Sequence, residues 1–183
     1  IYRGDLTIAK ENATAIFRYI NYITTRKDDK GLIHIGLGDW CPTARHGNVA
    51  APLEFTDTVI CIDICDKAAK LYDALGMAPQ KAFAETVRDD LMKAARKYLI
   101  NHETVTAVGR CQTTQAMAIF YNVFTDAEKP LAFARLVELI NKNDGSFDCG
   151  ILGLRVIFHV LSAFGRTDLA YRMITKTDFP SYG

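Results

Sequence analysis

Apolar residues recur along the chain at the spacing of three and four residues that is typical of helices. This spacing predicts about seven helices. We expect them at about Asp5–Thr25, Phe55–Leu75, Pro79–Leu99, Thr113–Phe124, Thr125–Asn143, Gly150–Phe164 and Thr167–Thr175. A short extended segment is predicted at 32–35, and residues 36–52, which show no period, are predicted to form a long structured loop.

The predicted helices differ in how much of their surface is apolar. The fourth and sixth are apolar nearly all round, whereas the helix after each of them has a charged face. The first is predicted to bury a stripe that includes Ile8 and Ala15, and Gly76 and Gly165 are predicted to end helices at equivalent hairpin turns. This alternation predicts an all-α fold with inner and outer layers, as in an α/α toroid or an α-solenoid. The lack of a strict repeat period favours the toroid.

Composition and charge narrow the class of protein. The chain has 183 residues, of which 49% are hydrophobic, and a formal net charge of +1, as expected for one domain or part of one. No cluster of Lys and Arg stands out in the sequence, so neither a nucleic acid nor a membrane surface is predicted as a partner. The chain begins with Ile1 and its last residues read as a loop, so we expect residues 1–183 to be a domain fragment truncated at both ends. No signal peptide is visible, and the compartment stays unknown.

Neither a metal site nor a cofactor site is predicted. The four histidines are far apart in sequence, and no Cys-x-x-Cys pair occurs. His159 lies in the apolar sixth helix and is expected to be a core residue. The five cysteines show no paired spacing and are expected to be small buried side chains. No glycine-rich phosphate-binding loop is present.

The segment Gly36–Pro42 is the most informative candidate for a binding site, because it holds Trp40, the single tryptophan of the chain. An exposed indole offers a flat apolar face to the C–H side of a sugar ring, and the carboxylate of Asp39 can accept hydrogen bonds from sugar hydroxyls. The alternative is a tryptophan that fixes the loop to the core. Gln112, at the start of the apolar fourth helix, could hold sugar hydroxyls or could instead anchor loops.

In their order and spacing, several segments resemble motifs of the bacterial α-L-rhamnosidase family of glycoside hydrolases. They are Gly38-Asp39-Trp40-Cys41-Pro42, Gln112-Thr113 with Ala116, Cys149-Gly150-Ile151-Leu152-Gly153, Gly165-Arg166-Thr167-Asp168-Leu169-Ala170-Tyr171 and Phe179-Pro180-Ser181-Tyr182-Gly183. The family has Thr in place of Cys149 and Trp in place of Tyr182. The resemblance spans most of the chain.

The resemblance implies part of an (α/α)6 toroid and the inverting hydrolysis of terminal α-L-rhamnosyl groups. Inversion requires an acid and a base about 6.5–9.5 Å apart. In the family the acid precedes the Gly-Asp-Trp loop, and the base is a Glu that follows a Trp beyond the last motif. Trp40 is followed by Cys41, so we assign no catalytic residue and expect this fragment alone to be inactive. Asp39, Trp40 and Gln112 are the candidate substrate-binding residues, and a rhamnose-containing glycan or glycoside is the expected partner.

Two other functions remain open at this point. The helix hairpins also suit a scaffold that binds a protein partner, and an α/α toroid can equally belong to a hydrolase or lyase acting on another glycan. An incomplete toroid would leave apolar edges, through which two copies of the chain could associate.

Overall fold

The computed structural model describes residues 4–41, 51–179 and 181. Its elements are α1 (Thr7–Thr24), α2 (Leu53–Ala74), α3 (Ala78–Tyr98), β1 (Ile100–Asn101), β2 (Thr106–Ala107), α4 (Gln112–Phe120), α5 (Lys129–Lys142), α6 (Ile151–Ala163) and α7 (Thr167–Ile174). The predicted all-α class is confirmed, with seven helices in the described part of the chain. Pro42, Pro180, Tyr182 and Gly183 of the predicted motifs lie outside the described residues.

The helices form three antiparallel hairpins in two layers. The hairpins are α2 with α3, α4 with α5, and α6 with α7, and α4 packs between α2 and α6. Every residue of α4 from Gln112 to Ile119 is buried, as expected for a helix of the inner layer. The outer helix α5 instead buries one stripe, formed by Ala132, Leu136 and Ile140.

Two glycines end inner helices at equivalent turns, as predicted. Gly76 has a φ of 70° and Gly165 a φ of 73°, the left-handed conformation that glycine adopts without strain. Beyond them, the amide of Met77 donates to the carbonyl of Tyr72, and that of Arg166 donates to the carbonyl of Leu161. These bonds satisfy the last carbonyls of the inner helices and direct the chain into the outer layer.

Helix α4 is shorter than the periodicity predicts. Its backbone leaves the helix at Asn122, which has a φ of 58°, and the amides of Val123 and Phe124 then bond to the carbonyl of Ala118. Val123 and Phe124 are fully buried although they lie outside the helix. Because their side chains are apolar, the sequence pattern wrongly predicted that the helix includes them.

Three other sequence expectations are wrong. Ile8 is 74% exposed, and Ala13 rather than Ala15 is buried, because α1 packs on α2 along a face rotated from the predicted stripe. Helix α6 has one exposed face, on which His159 lies 5.9 Å from the ring of Phe120. Cys41 is exposed, whereas the other four cysteines are buried.

Candidate functional site

Residues 25–41, which follow α1 and are called the connector here, cross the N-terminal parts of the three inner helices α2, α4 and α6. The amide of Ile33 donates to Oγ1 of Thr58 at 2.9 Å, and the amide of Gly36 donates to Oδ2 of Asp57 at 2.6 Å, both on α2. Farther along, Asp39 reaches α4 and α6. The connector therefore gathers three helix N-termini, which carry partial positive charge, at one end of the molecule.

Asp39 joins the connector to the two other inner helices. Its side chain is buried, and its Oδ2 accepts hydrogen bonds from Oγ1 of Thr113 at 2.5 Å and from the amide of Gly150 at 2.7 Å. Its Oδ1 accepts from the amides of Leu152 at 2.9 Å and Gly153 at 3.0 Å. A carboxylate at a helix N-terminus satisfies otherwise unpaired amides and is favoured by the helix dipole, so Asp39 caps α6 from a distant part of the chain.

Glycines let the backbone segments approach closely at this point. A Cβ atom on Gly150 would lie 2.2 Å from the carbonyl oxygen of Asp39, and one on Gly153 would lie 2.3 Å from Oγ1 of Thr113. The amide of Ile151 donates to the carbonyl of Trp40 at 2.9 Å. Gly150 is therefore required because the loop that carries Trp40 lies directly against it, and Gly153 is required because Thr113 and Cys149 lie against it.

Trp40 lies at the surface of this junction. Its side chain is 60% exposed, although the neighbouring Asp39 is only 2% exposed. Most of the surface of Trp40 is therefore open to solvent in this chain and not packed in the core. The carbonyl of the same residue is held by α6, so the backbone under the indole is fixed.

Gln112 is fully buried and anchors a loop. Its Nε2 donates to the carbonyl of Ser146 at 2.9 Å, and its Oε1 accepts from the amide of Asp148 at 3.4 Å. These bonds tie the start of α4 to the segment that leads into α6. The role of Asp39, Trp40 and Gln112 as substrate-binding residues stays a prediction. Of the three residues, Trp40 is exposed, whereas Asp39 and Gln112 are buried.

Thr113 and Gln115, which the sequence places beside Gln112 at the start of the fourth helix, are structural residues of the site. Gln115 accepts from the amide of Ala107 and donates to the carbonyls of Val105 and Ala132, which links β2 and α5 to the start of α4. The only sequence signal was the crowding of polar side chains at the start of an otherwise apolar helix.

Three buried thiols of the inner layer are unsuited to nucleophilic chemistry. Burial raises the pKa of Cys149, which packs against Gly153, well above its ordinary value of 9.0. Burial likewise raises the pKa of Cys61 to about 12 and that of Cys65 to about 11, so all three are neutral thiols near pH 7. Within residues 4–41, 51–179 and 181, no group of three His, Cys, Asp or Glu side chains is placed to bind a metal ion.

An apolar cavity of about 280 Å³ adjoins the connector. Its walls include Ile35 and Leu37 of the connector, Ile60 of α2 and Leu152 of α6. Leu37 is 84% exposed, so the connector presents a second large apolar side chain three residues before Trp40.

None of the described helices is long and apolar enough to span a bilayer.

The structure is similar to solved α-L-rhamnosidases. The crystal structure of Streptomyces avermitilis α-L-rhamnosidase complexed with L-rhamnose matches 98% of this chain with a TM-score of 0.86 and 26% identity, and 17% of that protein is covered. The structure of α-L-rhamnosidase from Dictyoglumus thermophilum matches 98% of the chain with a TM-score of 0.85 and 22% identity, and 21% of that protein is covered. The latter similarity shows the fold alone.

Curated relatives and a family model give the same picture. An α-L-rhamnosidase of Formosa agariphila is 28% identical over 99% of this chain, and one of Streptomyces avermitilis is 27% identical over 98%. The chain spans 20% of the length of the first relative and 17% of the second. The model of the bacterial α-L-rhamnosidase six-hairpin glycosidase domain matches residues 1–183. The chain therefore belongs to the family of bacterial α-L-rhamnosidase six-hairpin glycosidase domains and corresponds to part of the helical domain of such enzymes.

Proposed function

We propose that residues 1–183 form part of an enzyme that removes terminal α-L-rhamnosyl groups from a glycan or glycoside by inverting hydrolysis. The observation that carries the proposal is the exposed indole of Trp40, held on a fixed backbone at the junction of three inner helices in a glycosidase domain. A rhamnose ring has an apolar C–H face and a methyl group, and burying both against an indole removes apolar surface from water.

In this proposal Asp39 and Gln112 serve the sugar site from the interior. Both oxygens of Asp39 already accept hydrogen bonds from the protein, and both polar atoms of the Gln112 amide are bonded to the backbone at 146–148. These side chains hold the loop and the helix starts around the indole. Trp40 makes the direct contact with the sugar.

The catalytic acid and base are proposed to come from other parts of the enzyme. Inverting hydrolysis needs two carboxyl groups that face the scissile bond about 6.5–9.5 Å apart. Asp39 and Asp57, the buried carboxylates of the junction, are 2% and 7% exposed and are committed to backbone amides. Neither can reach a glycosidic oxygen without giving up these bonds, so we expect the chain alone to show no turnover.

The proposal is tested on the enzyme that contains this chain, with 4-nitrophenyl α-L-rhamnopyranoside as substrate. We expect release of L-rhamnose, with the inverted anomer seen first by NMR. Replacing Trp40 by Ala should raise KM about tenfold, which corresponds to a loss of about 1.4 kcal/mol of sugar binding. Tyr171→Ala, which removes an aromatic side chain that is 69% exposed on α7, is the matched control and should leave KM unchanged.

Two results would contradict the proposal. An enzyme that hydrolyses no aryl α-L-rhamnoside lacks the proposed activity. An active enzyme in which W40A has the same KM as Y171A shows that the indole makes no contact with the sugar.

A further inference from the structure

A groove of about 350 Å³ lies between the start of the connector and the C-terminal part of α3. Lysine side chains dominate its walls, and of the described residues that line it only Asp90 is acidic. The lining residues are Lys27, Lys30, Gly31, Asp90, Lys93, Ala94, Lys97 and Tyr98. The fold therefore brings together lysines from two separate segments, although neither segment reads as a basic patch in the sequence.

Most of these ammonium groups have no carboxylate partner. Lys27 lies 3.5 Å from Asp90, but Lys30, Lys93 and Lys97 form no ion pair with any other described residue. Lysines elsewhere in the described chain are mostly paired with carboxylates, as at Lys67, Lys70, Lys81, Lys129 and Lys176. In the described part of the chain, Lys30, Lys93 and Lys97 therefore have no carboxylate within ion-pair distance.

An aromatic ring lies among these charges. Tyr98 is 42% exposed, and the ammonium groups of Lys30 and Lys97 lie 5.8 Å and 4.8 Å from the centre of its ring. Cation–π contact of this kind orients the lysines without neutralising them. A flat ring flanked by cations suits a ligand that combines an apolar face with negative charge, and a sugar bearing a carboxylate or sulfate group has both.

The backbone on the connector side of the groove is fixed. Oδ1 of Asp28 accepts from the amides of Lys30 and Leu32, and the amide of Gly31 donates to the carbonyl of Asp28. Gly31 has a φ of 81°, and a Cβ there would lie 3.5 Å from that of Ala94, so the connector packs closely on α3. Little backbone ordering would then be needed on binding.

We propose that this groove is a secondary binding site for an acidic glycan, with Tyr98 under a sugar ring and Lys30, Lys93 and Lys97 around its anionic group. This inference rests on the proposed function, because it assumes that the substrate of the enzyme is a glycan. It narrows the expected substrates to glycan chains that also carry anionic sugars. The groove and Trp40 are two separate features of the same connector. Asp28, Asp29 and Asp90 near the lysines disfavour a polymer as densely charged as a nucleic acid.

Affinity electrophoresis of the 183-residue chain in gels that contain polygalacturonate or neutral dextran tests the site. We expect retardation by polygalacturonate and none by dextran. Lys93→Ala with Lys97→Ala should weaken the apparent affinity for polygalacturonate about fivefold, because each exposed charge pair contributes about 0.5 kcal/mol. Tyr98→Ala should weaken it by a similar factor without any change of charge.

The matched control is Lys10→Ala with Lys142→Ala, which removes two other exposed lysines that lack a carboxylate partner among the described residues. If this control weakened binding to polygalacturonate equally, the binding would depend only on net charge, and the proposal would be overturned. Tighter binding of a 20-base-pair DNA duplex than of polygalacturonate at equal ionic strength would also overturn it.

Far-UV circular dichroism verifies that each variant is folded. An L-rhamnose titration followed by Trp40 fluorescence is a separate readout, so failure of the groove and failure of the rhamnose site are distinguishable.

Discussion

The hydroxyl of Thr113 donates a 2.5 Å hydrogen bond to Oδ2 of Asp39, across 74 residues of sequence. Both residues are buried, and the same carboxylate caps the first turn of α6. The connector, α4 and α6 therefore share one anionic group. The orientation of Trp40 depends on this buried bond because Trp40 directly follows Asp39.

Replacing Thr113 by Val keeps the shape of the side chain but removes the donor. A hydrogen bond to a charged group contributes about 1.5–3 kcal/mol, and the buried carboxylate would lose a partner, so we expect the free energy of unfolding to fall by that amount. Urea denaturation of the 183-residue chain measures it. Acrylamide quenching of Trp40 should also rise. Thr113→Ser, which retains the hydroxyl, should stay close to wild type in both measurements, and equal quenching in T113V and T113S would contradict the role of the bond.

Gly150 is expected to tolerate no side chain. Its φ of −84° suits any residue, so the cost of Gly150→Ala is steric and arises from the carbonyl of Asp39 at 2.2 Å from the added Cβ. Backbone cannot move aside cheaply, and we expect a loss of about 3 kcal/mol or more. Gly145→Ala is the control, because nothing lies within 4 Å of a Cβ there and only the positive φ opposes it. That strain costs about 1–2 kcal/mol. In thermal unfolding, the Tm of G150A should be clearly lower than that of G145A.

Glu128 is expected to make stability depend on pH in the acidic range. Hydrogen bonds from Arg96, Thr125 and His102 hold the pKa of this carboxyl well below its ordinary value of 4.5. A lowered folded-state pKa means that the stabilisation is complete above about pH 4.5 and is lost as the pH falls below that value. Glu128→Gln should lower the free energy of unfolding by about 2 kcal/mol at pH 7 and flatten its decline between about pH 5 and pH 2.

Asp168→Asn is the control for this measurement. Hydrogen bonding by Arg166 lowers the pKa of Asp168 to about 2, but the carboxyl is exposed and its charge is screened by solvent. Its removal should change the pH profile much less than that of Glu128. Identical profiles for E128Q and wild type from pH 7 to pH 3 would show that the cluster around Glu128 does not act as proposed.

Copies of the chain are expected to associate through exposed apolar side chains on its first and last helices. On α1, Ile8 is 74% exposed, and Tyr19 and Tyr22 are 44% and 40% exposed. On α7, Tyr171 is 69% exposed and Ile174 is 45% exposed. Sedimentation velocity at increasing micromolar concentration should show a rising sedimentation coefficient. Ile8→Glu with Tyr171→Glu should suppress the rise, and a concentration-independent monomer in the unmodified chain would contradict the prediction.

Local sequence patterns were sufficient to predict the helix hairpins. Gly76 and Gly165 end helices where the sequence places them, and Thr125 and Glu128 bond reciprocally in a capping box ahead of α5, which begins at Lys129. The end of helix α4 was predicted four residues too late, because buried Val123 and Phe124 are apolar whether or not they are helical. The β1–β2 hairpin gave no sequence signal, since each strand has only two residues.

The site was predicted less completely than the fold. The exposure of Trp40 agrees with the sequence-based interpretation, but nothing local shows that Asp39 is buried, because its partners lie 74 to 114 residues away. The clustering of Lys30 with Lys93 was invisible for the same reason: it exists only once the connector packs on α3. Sequence periodicity reports burial along one element, whereas these features depend on packing between elements.

The capping of α6 by Asp39 couples the mobility of two segments that are distant in sequence. The amide protons of Leu152 and Gly153 point into that carboxylate, so they exchange with solvent when the loop bearing the indole lifts away or when the first turn of α6 frays. The opening free energy measured at these two amides by hydrogen exchange is therefore a lower bound on that of the loop. Any ligand that steadies the indole will slow exchange at both amides, although it touches neither.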